Sequence, residues 1–140
     1  MDEAATARRA IEQVCVGRAD LAQFYSETFV DHVNALEFRG HDGIRRSVAL
    51  YRELFPDIAI RVDDQVTDGE RVASRWTLTG TNRGRGVTLT GITISRFEDG
   101  LIVEDWGATD TVELARQLGV WRSLLLAAKH WRLLLNPTGG

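Results

Sequence analysis

Hydrophobic residues recur every third or fourth position through much of the first 54 residues of the chain. This spacing predicts amphipathic helices over residues 3–17, about 20–25 and about 43–54. A short extended segment over residues 28–33 lies between the second and third helices. Pro56 closes this part of the chain, because proline cannot continue the helical hydrogen-bond ladder.

From residue 58 the hydrophobic period becomes two, as Ile58, Ile60 and Val62 alternate with other residues. This alternation predicts a strand. Three more strands follow, over residues 71–81, 87–97 and 101–109. Because short turns rather than helices join these strands, we expect them to pair antiparallel. Helices followed by such a sheet predict a single α+β domain over residues 1–140.

The hairpin formed by the last two strands carries the most distinctive residues. Asp-Gly at its tip favours a tight turn, and a three-residue loop over 98–100 would pair Thr93 with Asp105. Alternation then sorts the hairpin into two faces. The polar, small-residue face holds Gly91, Thr93, Ser95, Val103, Asp105, Gly107 and Thr109, and the other face holds Ile92, Ile94, Glu104 and Trp106.

The segment after Gly119 predicts one more helix, over about 121–135. Its expected apolar face comprises Leu124, Leu125, Ala128, Trp131, Leu134 and Leu135. We expect so apolar a face to be buried against another surface. That surface is the domain itself or a dimer partner. Alternatively, the helix lies on a membrane surface or forms a lid over a pocket.

The composition narrows the function classes. Hydrophobic residues make up 44% of the chain and its net charge is −3, which indicates a globular protein and argues against a nucleic-acid partner. Cys15 is the single cysteine, so no disulfide can form within the chain. With no signal-peptide pattern and no membrane-spanning run, we expect a cytoplasmic protein without stable membrane insertion.

Asp105 is the first candidate for a catalytic acid/base, because burial in an apolar pocket would raise its pKa towards neutrality. The alternative is a solvent-facing or salt-bridged aspartate. His32, in the extended segment, is the second catalytic candidate. Four residues are candidates for substrate binding: Phe24, Tyr51, Trp76 and Thr93. The three histidines lack metal-ligand spacing, so we predict no metal.

Several segments together resemble the SnoaL-like polyketide cyclase family over roughly residues 8–120. They are FVDH, GHDGIRRSVALYRELFPDI, VASRWTLTGT, GITISRFEDGLIVEDWGATD and ELARQLG. The resemblance implies the fold of ketosteroid isomerase, in which a bent antiparallel sheet forms a cone around an apolar cavity closed by the N-terminal helices. The helix from about residue 121 is additional to that fold.

The resemblance also implies a small enzyme without metal or organic cofactor, which closes a ring by intramolecular aldol condensation. Such enzymes place an acid/base carboxylate on the last strand, commonly within Glu-His-Trp-Asp. Here the pattern is Glu104-Asp105-Trp106-Gly107, and Thr93 stands where a second histidine is expected.

We therefore predict a cyclase or related acid/base tailoring enzyme of secondary metabolism, such as antibiotic biosynthesis, acting as a homodimer on an apolar, polyketide-like intermediate. One alternative is an epoxide hydrolase, which would place Arg75 and a second carboxylate beside Asp105, or a ketosteroid-type isomerase with Tyr51 as oxyanion donor. The other is a non-catalytic binding or assembly module.

Overall fold

The structure is a computed structural model that describes residues 2–131, with backbone alone for residues 120–123. The helices are α1 (Glu3–Val14), α2 (Gly40–Leu54), α3 (Thr111–Leu118) and α4 (Val120–Lys129), with a 3₁₀ turn at Leu21–Gln23. The strands are β1 (Tyr25–Val33), β2 (Leu36–Arg39), β3 (Ala59–Asp68), β4 (Arg71–Asn82), β5 (Arg85–Glu98) and β6 (Leu101–Thr109).

All six strands form one open sheet in the order β2-β1-β6-β5-β4-β3. Neighbouring strands are antiparallel except β1 and β6, which run parallel. The α+β class is confirmed, but the sheet is mixed rather than wholly antiparallel. The parallel pair arises because β1 comes from the N-terminal half of the chain and inserts beside the last strand.

The N-terminal half differs most from the prediction. The predicted second helix is only the 3₁₀ turn capped by Asp20, and a strand begins at Tyr25. Strand β2 was not predicted at all. It pairs with β1 after a turn in which Asn34 has a φ of 52°, a left-handed conformation that asparagine tolerates.

The register predicted for the β5–β6 hairpin is wrong, although the faces of its polar residues are correct. The turn has two residues, Asp99 and Gly100, both with positive φ. A two-residue turn alone would bring Glu104 opposite Ser95. An irregularity after Arg96 shifts the pairing by one residue, so that Ser95 lies opposite Asp105 and Thr93 opposite Gly107. This bulge therefore turns Asp105 towards the inner face and Glu104 outwards.

Helices α1 and α2 cover the inner face of the sheet, and the cavity described below lies between them and the strands. The apolar stripe predicted for the C-terminal helix is wrong within the described residues, because a residue outside that stripe makes the contact with the core. Leu126 packs against the core, whereas Leu124, Leu125 and Trp131 remain more than half exposed. Leu134 and Leu135 lie outside the described residues. No helix in the described part combines the length and apolarity needed to cross a membrane.

Candidate active site

A cavity of about 90 Å³, which we call the acid cavity, lies between the sheet, α1 and α2. Most of its walls are apolar side chains, including Phe29, Ile44 and Leu78. Its polar lining comprises Cys15, Tyr25, Asp31, Ser47, Tyr51, Trp76, Thr93, Asp105 and Thr109. No Arg, Lys or His lines it among the side chains that the structure describes. The charge of any ionised carboxyl group in this cavity therefore lacks a cationic partner there.

Asp31 and Asp105 lie directly opposite each other on the parallel strands β1 and β6, whose backbones run about 4.8 Å apart. Asp105 is only 7% exposed. Its Oδ1 atom is buried and has no hydrogen-bond partner among the described residues. Asp31 is less buried and also borders the cavity. The two side chains form a carboxyl pair in an apolar wall.

The pKa of both carboxyl groups is raised. Burial raises the pKa of Asp31 to about 7. Burial also raises the pKa of Asp105 well above its usual range, and repulsion by Asp31 adds to this effect, whereas the Ser95 hydroxyl acts in the opposite direction. Two like charges in one apolar cavity disfavour double ionisation. The raised pKa values therefore favour retention of at least one proton on the pair at neutral pH.

Other polar groups surround the pair with neutral hydrogen-bonding atoms. Trp76 Nε1 donates a hydrogen bond of 3.0 Å to Thr93 Oγ1. The Trp76 ring packs so closely against Gly91 that a Cβ atom at this position would clash with the ring. Burial raises the pKa of Tyr51 to about 12, against the effect of its hydrogen bond with Thr109. The Tyr51 hydroxyl therefore stays protonated and can donate.

Burial and the nearby carboxyl groups raise the pKa of Cys15 to about 12. It is therefore a thiol rather than a thiolate at neutral pH, which does not favour a nucleophilic role.

The structure brings four of the six predicted site residues to the acid cavity: Asp105, Tyr51, Trp76 and Thr93. Phe24 instead belongs to the hydrophobic core, where it is 3% exposed. The catalytic or binding roles of all six stay predictions.

His32 lies on the opposite face of the sheet from Asp105. Its Nε2 is 2.8 Å from Glu104 Oε2, its Nδ1 is 3.4 Å from Glu37 Oε2, and its ring stacks on Trp106. The two catalytic candidates, His32 and Asp105, therefore do not meet in one cavity. Alternation along β1 sends Phe29 and Asp31 inwards and His32 outwards.

Sequence reasoning missed Asp31, although a signal was present. Phe29, Asp31 and Val33 alternate along one face of β1, and all three line the acid cavity. Had the segment been treated as a half-buried strand, the apolar neighbours would have marked Asp31 as the inward residue.

The arginine expected for an epoxide hydrolase is not beside the pair. Arg75 is about half exposed and its Nη2 donates a 2.8 Å hydrogen bond to Asp64. Asp105 thus has the second carboxylate of that alternative but not its arginine. The described side chains also contain no cluster of three or more His, Cys, Asp or Glu that could hold a metal ion.

Comparisons with known proteins agree with this geometry. The family model described as SnoaL-like polyketide cyclase matches residues 5–118. A comparison with curated proteins finds no significant match.

Several solved structures share the fold. Wild-type IdmH from Streptomyces antibioticus, a polyketide cyclase candidate, is 26% identical with a TM-score of 0.76, over 85% of this chain and 99% of that chain. A polyketide cyclase candidate from Bacillus cereus is also 26% identical, with a TM-score of 0.70, over 84% of this chain and 78% of that chain. AclR from Streptomyces galilaeus, a hydroxylase candidate, is 24% identical with a TM-score of 0.66, over 84% of this chain and 87% of that chain. This likeness supports the fold only.

The raised pKa values predict how stability depends on pH. The unfolded chain releases the protons of Asp31 and Asp105 near pH 4, whereas the folded chain retains one to about pH 7 or above. The pair therefore makes folding less favourable as the pH rises through this window. The difference in unfolding free energy between Asp105→Asn and wild type should therefore shift in favour of the variant by about 1–3 kcal/mol from pH 4 to pH 8. Urea denaturation at both pH values measures this shift.

Glu104→Gln is the matched control on the outer face. Hydrogen bonding from His32 lowers the pKa of Glu104, so this carboxylate contributes stability that is present near neutral pH and lost in acid. Its removal should change stability in the opposite direction over the same pH range. Equal pH dependence in the two variants would show that Asp105 is not held in its protonated form by burial.

Proposed function

Because the chain belongs to the SnoaL-like polyketide cyclase family, we propose that it is a cofactor-independent cyclase, or a related acid/base tailoring enzyme, for an apolar, polyketide-like intermediate. The observation that carries the proposal is the carboxyl pair of Asp31 and Asp105 in the acid cavity. The structural similarity to IdmH, described as a polyketide cyclase candidate from Streptomyces antibioticus, supports the cyclase assignment.

A pair that shares one proton supplies an acid and a base at the same time. The ionised carboxylate can accept a proton from the substrate, while the protonated carboxyl group donates one to an oxygen atom. A pKa near neutrality suits both tasks, because each form is then populated at the operating pH. Neither step requires a cationic side chain in the cavity.

Ring closure by aldol addition uses both groups. The carboxylate removes a proton from the carbon beside a carbonyl group, and the resulting enolate carbon attacks a second carbonyl carbon of the same molecule. The protonated carboxyl group gives its proton to that carbonyl oxygen, which becomes a hydroxyl group. The proton count of the pair is unchanged, and the product is an isomer of the substrate.

Opening of an epoxide by an internal hydroxyl group uses the same proton balance. The carboxylate accepts the hydroxyl proton as the oxygen attacks an epoxide carbon, and the carboxyl group protonates the oxygen that leaves. The carboxyl pair supports either ring closure, and the walls of the cavity would select between them by holding a flexible chain in one reactive pose.

The isomerase alternative is favoured by one specific observation. Tyr51 lines the cavity with a hydroxyl group that stays protonated, so it can stabilise an enolate oxygen while one carboxylate moves the proton. The epoxide hydrolase is less well supported because Arg75 points away. The binding-module alternative is less well supported because the cavity contains two carboxyl groups.

We expect Asp105→Asn to lose at least about 100-fold in turnover, because an amide cannot exchange a proton in this role. Asp31→Asn should lose activity to a similar extent. The assay supplies linear poly-β-keto thioesters and epoxy alcohols, and mass spectrometry detects cyclised products as isomers or as isomers less one water.

Glu104→Gln serves as the control, since it changes the adjacent carboxylate on the outer face. It should turn over its substrate at nearly the wild-type rate. Equal losses in Glu104→Gln and Asp105→Asn would contradict the assignment. Binding of these compounds by the wild type without conversion of any would favour the binding module.

We also propose a homodimer formed through the outer face of the sheet. Ile92 and Ile94 are 49% and 38% exposed there, beside Trp106, and an apolar surface of this kind favours association. Sedimentation equilibrium should show that Ile94→Glu weakens the dimer at least tenfold. Val112→Glu, at a residue 78% exposed on α3, is the control and should leave the dimer intact. Dissociation of the dimer by both variants, or by neither, would refute the interface.

A further inference from the structure

A second cavity adjoins the acid cavity on the side of the C-terminal helices. We call it the apolar chamber. Its volume is about 330 Å³. Its lining residues come from β1, β2, β5, α2, α3 and α4 and include Leu36, Phe38, Leu50, Leu54, Phe55, Leu89, Leu114, Leu118 and Leu126. Unlike the acid cavity, it has no carboxyl group in its described lining.

Helix α4 covers this chamber. Leu126 packs against the core from α4, and Ala127 and His130 also line the chamber. An ion pair between Lys129 and Glu53 ties the helix to α2. The family model ends at residue 118, so α4 lies beyond the matched region. This chain therefore encloses part of its interior with a segment of its own.

Four residues form the wall shared by the two cavities: Val33, Ser47, Tyr51 and Thr109. The Thr109 hydroxyl lowers the pKa of Tyr51, so the two side chains lie near each other at this wall. The acid cavity and the apolar chamber therefore meet at these four residues.

The volumes do not suit a substrate held in one cavity alone. The acid cavity, at about 90 Å³, is far smaller than a typical small-molecule site, so it suits a reacting group rather than a whole polyketide-like molecule. Small-molecule sites usually exceed about 300 Å³, and the apolar chamber reaches that size. The chamber, however, lacks the acid and base.

We propose that the substrate has two parts, a small oxygen-bearing group that reacts at Asp31 and Asp105 and a hydrocarbon segment that occupies the apolar chamber beneath α4. This inference rests on the proposed function and adds the substrate class. The hydrocarbon segment passes the wall at Tyr51 and Thr109. Leu36, Leu114 and Leu126 then determine which segment lengths bind.

The test measures the affinity of 4-alkylphenols, from 4-methylphenol to 4-pentylphenol, by isothermal titration calorimetry. The phenol hydroxyl group can donate to the carboxyl pair, and the alkyl group extends into the chamber. Each added methylene should tighten wild-type binding about fourfold, which corresponds to ~0.8 kcal/mol per buried methylene.

Two variants fill the chamber from different walls. Leu114→Trp acts from α3 and Leu36→Phe from β2, and both should reduce the gain to less than about 1.5-fold per methylene, since the alkyl group then lacks space. Val112→Trp is the matched control on α3, at an exposed position, and should keep the fourfold gain. Circular dichroism verifies that each variant is folded.

An unchanged gain in both filling variants would overturn the inference, because the alkyl group would then bind elsewhere, for example on the exposed Leu124 and Leu125. The inference would also be overturned if the affinity of the wild type for 4-alkylphenols did not increase with the length of the alkyl group. Asp105→Asn separates this result from the proposed function. It should keep the dependence on chain length, so its lost turnover tests the chemistry and the filling variants test the chamber.

Discussion

The proposed chemistry depends on one unfavourable arrangement, the burial of the carboxyl groups of Asp31 and Asp105 side by side in an apolar cavity, which raises the pKa of both. An isolated buried carboxylate is costly, and a second one beside it makes double ionisation more so. The chain lowers this cost by keeping one proton on the pair. The same proton gives the cavity an acid and a base without any cationic side chain in its described lining.

Two features of the backbone create this juxtaposition. The parallel pairing of β1 with β6 sets Asp31 beside Asp105, and the bulge after Arg96 turns Asp105 rather than Glu104 inwards. Without the bulge, the Glu104 carboxyl group would face the cavity, and Asp105 would face the ion pairs that His32 and Arg96 now make. A one-residue change in register would thus remove the pair.

The sequence was sufficient to predict the α+β class and the last four strands, because clear alternation and an Asp-Gly turn mark the C-terminal hairpin. Asp105 was predicted on the inner face through a wrong register, and the unpredicted bulge after Arg96 is what places it there. It was not sufficient for β2 or for the parallel pair, since a contact between residues 31 and 105 leaves no local pattern. The prediction of His32 rather than Asp31 followed the family resemblance, in which the histidine of this Asp-His pair often faces the pocket. Only the alternation of Phe29, Asp31 and Val33 indicated otherwise.

The most direct test of the shared proton is carbon-detected NMR titration of the aspartate carboxyl groups, with Asp31→Asn and Asp105→Asn as assignment controls. In the wild type, both carboxyl signals should respond to two coupled steps, with one step at about pH 7 or above. In Asp31→Asn, Asp105 should titrate in one step at lower pH, because the repulsion is gone. Independent titration of both groups near the ordinary value of about 3.9 would contradict the shared proton.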